Sequence, residues 1–305
     1  MTRLATVARL SPVSFNQTEQ RLETYVRPAR AADARHAASI CYNAFKAIAE
    51  RHGFPPDFPT REGAIALLSS IIPRADIHAV VAERDGQVLG SNFLWKGAVA
   101  GIGPITVDPD AQNSGVGRRL MEAVIDLARR DGSTAIRLVQ AAYHSRSLSL
   151  YTKLGFIARE PLSLIQGAAL ETSVPGRAVR TARDGDIASM DALCRSVHGH
   201  DRSAETRHAV TRNAARVVER HGRIAGYATE IGFFGHAVGE TTEDLKALIA
   251  AATSFSGPGF LLPTRNSDLL RWCIEHGLRV VQPMTLMSMG DYREPQGAFL
   301  PSILF

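Results

Sequence analysis

The residues best suited to chemistry stand between Ile102 and Phe156. Gly103-Pro104-Ile105-Thr106-Val107-Asp108-Pro109 leads into Asp110-Ala111-Gln112-Asn113-Ser114-Gly115-Val116-Gly117, and Arg118 and Arg119 follow. This pattern predicts a strand ending at Val107, a turn forced by Asp108-Pro109 and a helix entered near Gly117. The first amides of a helix lack intrahelical partners, and the helix dipole adds partial positive charge there. Glycines at 115 and 117 leave those amides open to a closely approaching diphosphate, and Arg118 or Arg119 can add charge-assisted contacts. A nucleotide P-loop would need Gly-Lys-Ser/Thr where Gly117-Arg118-Arg119 stands, and a dinucleotide fingerprint needs three glycines after the first strand of its domain. This turn comes late, so both are disfavoured.

The elements that must position this turn are legible around it. Leu120, Val124, Leu127 and Ala128 follow a 3.6-residue period and Gly132 supplies a stop, so one helix runs between them. Ile136 to Val139 reads as the next strand. Ser149-Leu150-Tyr151-Thr152-Lys153-Leu154-Gly155-Phe156 then reads as a helix passing through a glycine into another strand.

The chain also repeats itself. Val26-Arg27-Pro28-Ala29-Arg30-Ala31-Ala32-Asp33 recurs as Val179-Arg180-Thr181-Ala182-Arg183-Asp184-Gly185-Asp186, a register that also lays Cys41 over Cys194. Glu83-Arg84-Asp85-Gly86-Gln87-Val88-Leu89-Gly90 is echoed by Glu219-Arg220-His221-Gly222-Arg223-Ile224-Ala225-Gly226, each a predicted hairpin. Leu154-Gly155-Phe156 corresponds to His276-Gly277-Leu278. Three blocks in one order indicate a tandem duplication whose second copy is shorter. The expected division is a loose arm over 1–24, a first domain over 25–166, a linker over 167–176, a second domain over 177–292 and a tail over 293–305.

Composition bounds the answer without naming it. The 305 residues are 45% apolar and 21% charged, which suits a globular protein with a sizeable core. No apolar run approaches the roughly 18 residues of a spanning helix, and no secretory signal pattern opens the chain. Three isolated cysteines exclude a disulfide framework and a zinc finger, and a cytoplasmic setting is expected. The net charge of +5 is scattered among acidic residues rather than gathered into a basic run, which disfavours a nucleic-acid partner. A modest positive field would still help to attract an anionic cofactor.

Gln112-x-x-Gly115-x-Gly117, followed about 35 residues later by Tyr151 to Phe156, resembles the two signatures of the GNAT (Gcn5-related N-acetyltransferase) superfamily. The resemblance covers roughly residues 26–165; the second copy resembles the degenerate GNAT-like domain of tandem members. It implies an α/β (α+β) fold of two tandem domains, each a mixed, mostly antiparallel sheet flanked by helices. It further implies acetyl-CoA as acyl donor, held by Ile105, Thr106 and Val107 on the strand and by Gln112, Asn113, Ser114, Gly115, Val116, Gly117 and Arg118 at the turn. Tyr151 matches the position that protonates the leaving thiolate. The implied reaction is direct transfer, most readily of acetyl, to a primary amine on a small molecule or peptide, with no metal and no membrane involved. The rival is an acyl-CoA-binding sensor or assembly module without turnover, and a homo-oligomer is compatible with either reading.

The general base is not identified: Leu94 to Val107 carries no carboxylate. His144 stands where relatives often carry an asparagine near CoA, and reads equally as a base, a CoA contact or a surface residue. His78 reads as structural. The acceptor site is expected along Asn43 to Phe58, with His52-Gly53-Phe54-Pro55-Pro56-Asp57-Phe58 as a lid or a packed loop, and Trp95 and Gln140 as weaker pocket candidates. In the second copy, Glu240, Glu243 and Asp244 occupy the place of a phosphate and Cys273 that of Tyr151, so this half is expected to bind no CoA.

Overall fold

The computed structural model describes residues 23–304; the arm expected over 1–24 lies, apart from Glu23 and Thr24, outside them. The first half runs β1 (Tyr25–Pro28), α1 (Ala34–Arg51), α2 (Arg61–Ile71), β2 (Ile77–Arg84), β3 (Gln87–Trp95), β4 (Val99–Ile102), β5 (Thr106–Val107), α3 (Val116–Arg130), β6 (Ala135–Ala141), α4 (Ser145–Lys153) and β7 (Ile157–Gln166). The second runs β8 (Ala178–Thr181), α5 (Ile187–His198), α6 (Ser203–Thr211), β9 (Arg216–Arg220), β10 (Arg223–Ala228), β11 (Ala237–Gly239), α7 (Thr242–Ala250), β12 (Phe260–Pro263), α8 (Ser267–Glu275), β13 (Arg279–Gly290) and β14 (Ala298–Leu300). No helix among the described residues is long and apolar enough to cross a membrane.

The repeated sequence blocks fold into the same local machinery. Arg27 grips Asp33 through both terminal nitrogens, at 2.7 and 2.9 Å, and donates through Nε to Glu83 at 2.6 Å. Arg180 does the same to Asp186, at 2.7 and 3.0 Å, and to Glu219 at 2.7 Å. In each copy the aspartate also accepts from a backbone amide, of Arg30 or Arg183, at 2.7 Å. A planar guanidinium fork fits this job because one group can hold the opening strand, the helix entry and the hairpin together. Both hairpins turn on a non-glycine residue at positive φ followed by glycine: Asp85-Gly86 at 54° and 75°, His221-Gly222 at 53° and 76°.

The two halves do not keep their strands to themselves. One nine-stranded sheet has the order β1-β2-β3-β4-β6-β13-β7-β12, with β5 pairing β3 beside β4. Thus β13 lies between β6 and β7, antiparallel to both, and β12 extends the sheet beyond β7. A second, five-stranded sheet has the order β14-β11-β10-β9-β8. Side chains reinforce the shared sheet: Arg159 donates to Ser288 at 2.8 Å and Arg265 to the buried Glu160 at 2.7 Å. Near the end of the chain the Ile303 amide is bonded to the Phe233 carbonyl of the second half at 2.8 Å, and the Leu304 carbonyl rests on Gly101 of the first.

The amphipathic α3 carries the core beneath the site. Leu120, Met121, Val124, Ile125 and Ala128 are buried against Val80, Leu94, Ile102, Ile136 and Leu138. Truncating the fully buried Leu120 to alanine is expected to cost about 2–5 kcal/mol. On the opposite face of the sheet α1 and α2 cover Ile77, Ala79 and Phe93. The sequence reading began its acceptor segment at Asn43, after the first helix. In the structure α1 continues to Arg51, because Ala44, Lys46, Ala47, Ala49 and Glu50 are strong helix formers, and only Gly53, at φ 73°, ends it.

Candidate active site

The site begins where two parallel strands part. β4 pairs β6 only from Val99–Ala135 to Gly101–Arg137. After Gly103-Pro104 the chain continues as β5, which stays with β3 through Ser91–Thr106 and Gly90–Val107 and no longer meets β6. The outer edge of β5 therefore faces a gap rather than a strand, with the free edge of β6 from Leu138 to Ala141 on its far side. Trp95 steadies the break by donating its indole N–H to the Gly103 carbonyl at 3.1 Å. Gln140, 6% exposed, lies at this free stretch of β6, and among the described residues neither its amide nitrogen nor its oxygen has a hydrogen-bond partner. Alternation along β6 puts it on the face of Ile136 and Leu138, toward α3 and α4. A buried amide left unpaired costs free energy that a bound polar group would recover.

The turn that follows presents donors to the same gap. Ser114 donates to the Ala111 carbonyl at 2.6 Å, Asn113 adopts φ 65° and Gly115 φ 85°, so the chain doubles back before α3 starts at Val116. Among the described residues no side chain caps α3, which leaves its first amides presented outward. Of the two glycines Gly115 is the one the backbone calls for, since its φ lies in the left-handed region; Gly117 is helical and a Cβ there would only touch Leu150 and Val107 at 3.6 Å. Arg118 is half-exposed and 3.4 Å from Glu122. Gln112 accepts from Arg146 at 2.5 Å, which ties the turn to the first turn of α4. Nothing in the Gln-x-x-Gly-x-Gly pattern pointed to Arg146; its place two residues after the His144 cap of α4 is the only signal.

One face of α4 carries three hydroxyl and imidazole groups in line. His144 caps the helix and its Nδ1 lies 2.6 Å from the Ser147 hydroxyl. Tyr151, one turn further on, is 6% exposed and packs edge-on to Phe156. Burial pushes the Tyr151 phenol up to about 12, with a hydrogen bond from Ser147 acting the other way. Burial, then Arg146, His52 and Arg51, hold the His144 imidazole down at about 4, so it is neutral at pH 7. Such an imidazole is a poor proton acceptor. His78 binds Asp131 at 2.8 Å and ties β2 to the end of α3, away from the gap.

On the α1 side of the sheet the loop after α1 meets residues from two further elements. Phe54 stacks on Tyr143 with centroids 4.3 Å apart, and His52 lies 5.3 Å from the same ring. Tyr143 donates to the Gln282 side-chain oxygen at 3.1 Å, while the Gln282 nitrogen faces Asp57 at 3.4 Å. Burial raises the Asp57 carboxyl to about 6, and the Gln282 bond only partly opposes this. Sequence reasoning named the loop but gave Asp57 no role, because Gln282 comes from the other copy, 225 residues away.

The corresponding place in the second half is built shut. Thr241 and Asp244 form a capping box at the start of α7: Asp244 accepts from the Thr241 amide at 3.0 Å and hydroxyl at 2.7 Å. The carboxylates expected in the place of a phosphate stand here, each held by basic side chains rather than left bare. Glu240 is clamped by Arg220 and Arg223, Asp244 is fully buried against Arg177 at 2.9 Å, and Glu243 pairs with Lys246 at 2.6 Å. The edge of β11 that matches the open edge of β5 is paired with β14, through Ala237–Leu300 to Gly239–Ala298. β14 lies beside β12 as well, so it fills the space between those strands. Among the described residues no group of three His, Cys, Asp or Glu side chains is arranged to hold a metal.

Residues 42–156 match the model of the acetyltransferase (GNAT) family. The chain is 34% identical over 93 residues to an IAA acetyltransferase of Azospirillum brasilense, a match that takes in 30% of this chain and 61% of that relative's length. In fold it is similar along most of its length to a protein of Pyrococcus horikoshii assigned as an acetyltransferase, with a TM-score of 0.67 at 18% identity, covering 95% of this chain and 97% of the other. A GCN5-related N-acetyltransferase from Sphaerobacter thermophilus is similar with a TM-score of 0.58 at 14% identity, covering 90% and 98%.

Proposed function

We propose that this chain, whose residues 42–156 match the model of the acetyltransferase (GNAT) family, is an acetyl-CoA-dependent N-acetyltransferase acting on a primary amine. The observation that carries this reading is the gap between β5 and β6, open along one strand edge and headed by the uncapped start of α3. The residues fit the donor. The amides from Asn113 to Arg118 suit a diphosphate, with Arg118 and Arg146 adding positive charge. The free edge of β5, Ile105 to Val107, suits an extended arm carrying amides of its own, and the unpaired Gln140 amide faces the same space. When bound, the donor supplies an activated acyl thioester.

Acid–base energetics assign Tyr151 a narrower task than full proton donation. Its phenol stands at about 12, while a thiol titrates near 8.5. Transfer of the phenolic proton to a thiolate would be uphill by about 5 kcal/mol. Tyr151 therefore keeps its proton and donates a hydrogen bond to the sulfur as charge develops there, a contact that strengthens toward the transition state. His144, neutral through burial, positions Ser147, and Ser147 in turn orients Tyr151. The acceptor nitrogen attacks the thioester carbon directly, without a covalent enzyme intermediate.

The test is release of free thiol when the full chain is mixed with acetyl-CoA and a panel of primary amines. Amine-dependent release supports the reading. Saturable binding of acetyl-CoA with no release from any amine would contradict it and leave a sensor.

A further inference from the structure

Asp57, Tyr143 and Gln282 meet on the α1 side of the shared sheet, at the gap described above, and come from three separate stretches of chain. We propose that Asp57 accepts the proton of the incoming ammonium group, and that Gln282, contributed by the second copy, holds the carboxylate toward the gap. The inference rests on the transferase reading.

Placement carries the argument. Asp57 belongs to the loop after α1, and Phe54 in that loop is stacked on Tyr143, the second residue after β6. Gln282 sits on β13 two residues from Met284, which pairs with Ala141 at the end of β6. Beneath Asp57 the Cys41 thiol of α1 feels its charge, and α1 packs directly on β5. The carboxylate is thus set between the loop and the strand whose outer edge lines the gap. Gln282 is 2% exposed and fixed from both ends: its oxygen accepts from Tyr143, and its nitrogen reaches Asp57 Oδ1. Asp57 itself remains partly exposed, and among the described residues no other hydrogen bond to its carboxylate is formed.

The charge pattern fits a cationic visitor. The groups facing Asp57 are the Gln282 amide, the Cys41 thiol and the Tyr143 phenol, all neutral at pH 7, with His52 beyond Tyr143. A partly buried carboxylate with no cationic neighbour among the described residues is poorly solvated and binds an ammonium ion well. Its raised acidity range makes it a better proton acceptor near neutral pH than free aspartate. Transfer from an ammonium group of pKa about 10.4 is still uphill by about 6 kcal/mol and is drawn forward by the attack on the thioester that follows. His144, the other nearby base, is held too low for the task.

The step balances without further reactants. The acceptor arrives as an ammonium ion and one N–H proton passes to Asp57, leaving a neutral amine. The nitrogen lone pair forms the C–N bond to the thioester carbon, and the C–S bond breaks with its electron pair leaving on sulfur. Of the two protons left on nitrogen, one stays in the amide and the other is lost to the thiolate. Asp57 returns its proton to water.

Two variants of the full chain test this. Asp57→Asn keeps the shape and removes the base: kcat/KM for the amine at pH 7.5 is expected to fall at least 50-fold, with the affinity for acetyl-CoA unchanged within twofold. The acidic limb of the pH–rate profile, centred near 6 in the parent, should disappear. Gln282→Leu, a change at a positioning residue, should lower kcat/KM about 5- to 10-fold and move that limb to higher pH, because the Gln282 bond favours the ionised form. An Asp57→Asn protein that keeps its rate and its acidic limb overturns the proposal while leaving the transferase reading intact. A parent protein that releases no thiol with any amine overturns both.

Discussion

The two clefts of this molecule stand on the same scaffold and have opposite fates. Both halves open with an arginine fork that joins strand, helix entry and hairpin, Arg27 in one and Arg180 in the other. Both end their fourth α-helix two residues before a glycine at positive φ, Gly155 or Gly277, and carry Tyr151 or Cys273 four residues before it. Yet α3 starts uncapped behind Gly115, whereas α7 is closed by its own Thr241–Asp244 box. One strand edge faces a gap; the other is occupied by β14. Keeping a fold is separate from keeping a ligand site. In the second half the Thr241 and Asp244 amides are satisfied from within the chain, beside a cavity of about 370 Å³ lined by Glu240, Thr241 and Asn266.

This contrast can be broken at several points. The largest effect belongs to the closed cleft and falls on stability. Asp244→Ala strips the buried partner from Arg177 and opens the α7 cap, a loss of about 3–5 kcal/mol. Urea denaturation should show it, while the folded fraction binds acetyl-CoA as before. In the open cleft the balance reverses. Gly115→Asp adds a carboxylate where donors converge and should weaken acetyl-CoA at least 100-fold, with only about 1 kcal/mol of stability lost to the left-handed backbone. Calorimetric titration beside a melting curve separates the two effects.

Smaller changes sharpen the same contrast. Tyr151→Phe should reduce kcat about 10- to 100-fold with little change in acetyl-CoA affinity, whereas Cys273, its counterpart, can become serine without altering kcat. Asp57→Asn should stabilise the protein at pH 7.5 by about 1–2 kcal/mol, after allowance for its partial exposure. The sign follows from a folded carboxyl at about 6 against 3.8 unfolded: its contribution is present below pH 4 and lost as pH rises through 6. The gap between parent and variant melting temperatures should therefore widen between those values. Least of all, Arg146→Ala should weaken acetyl-CoA about threefold, an effect that fades in high salt because the residue is exposed.

The sequence disclosed what depends on short stretches. Gly115, the run Leu120 to Ala128 and the step from Tyr151 through Gly155 each encode their element locally, and they fall where the periodicity and turn residues put them. The paired hairpins and arginine forks were visible because the sequence carries each block twice. What escaped depends on contacts between distant segments. Nothing local says that β13 enters between β6 and β7, since an apolar strand such as Val280 to Leu286 can pair with several neighbours. Asp57 gave no signal for the same reason: its environment is made by Gln282 and Tyr143 after the chain has folded. The burial that moves Tyr151 and His144 in opposite directions is likewise a property of packing, invisible in the residues alone.

The most direct test of the open and closed clefts is the stoichiometry of acetyl-CoA binding, measured by titration calorimetry on the full chain. The account predicts one equivalent per chain, abolished by Gly115→Asp and retained when Thr241 becomes alanine. Two equivalents, or one that survives Gly115→Asp and is lost with Thr241, would contradict it.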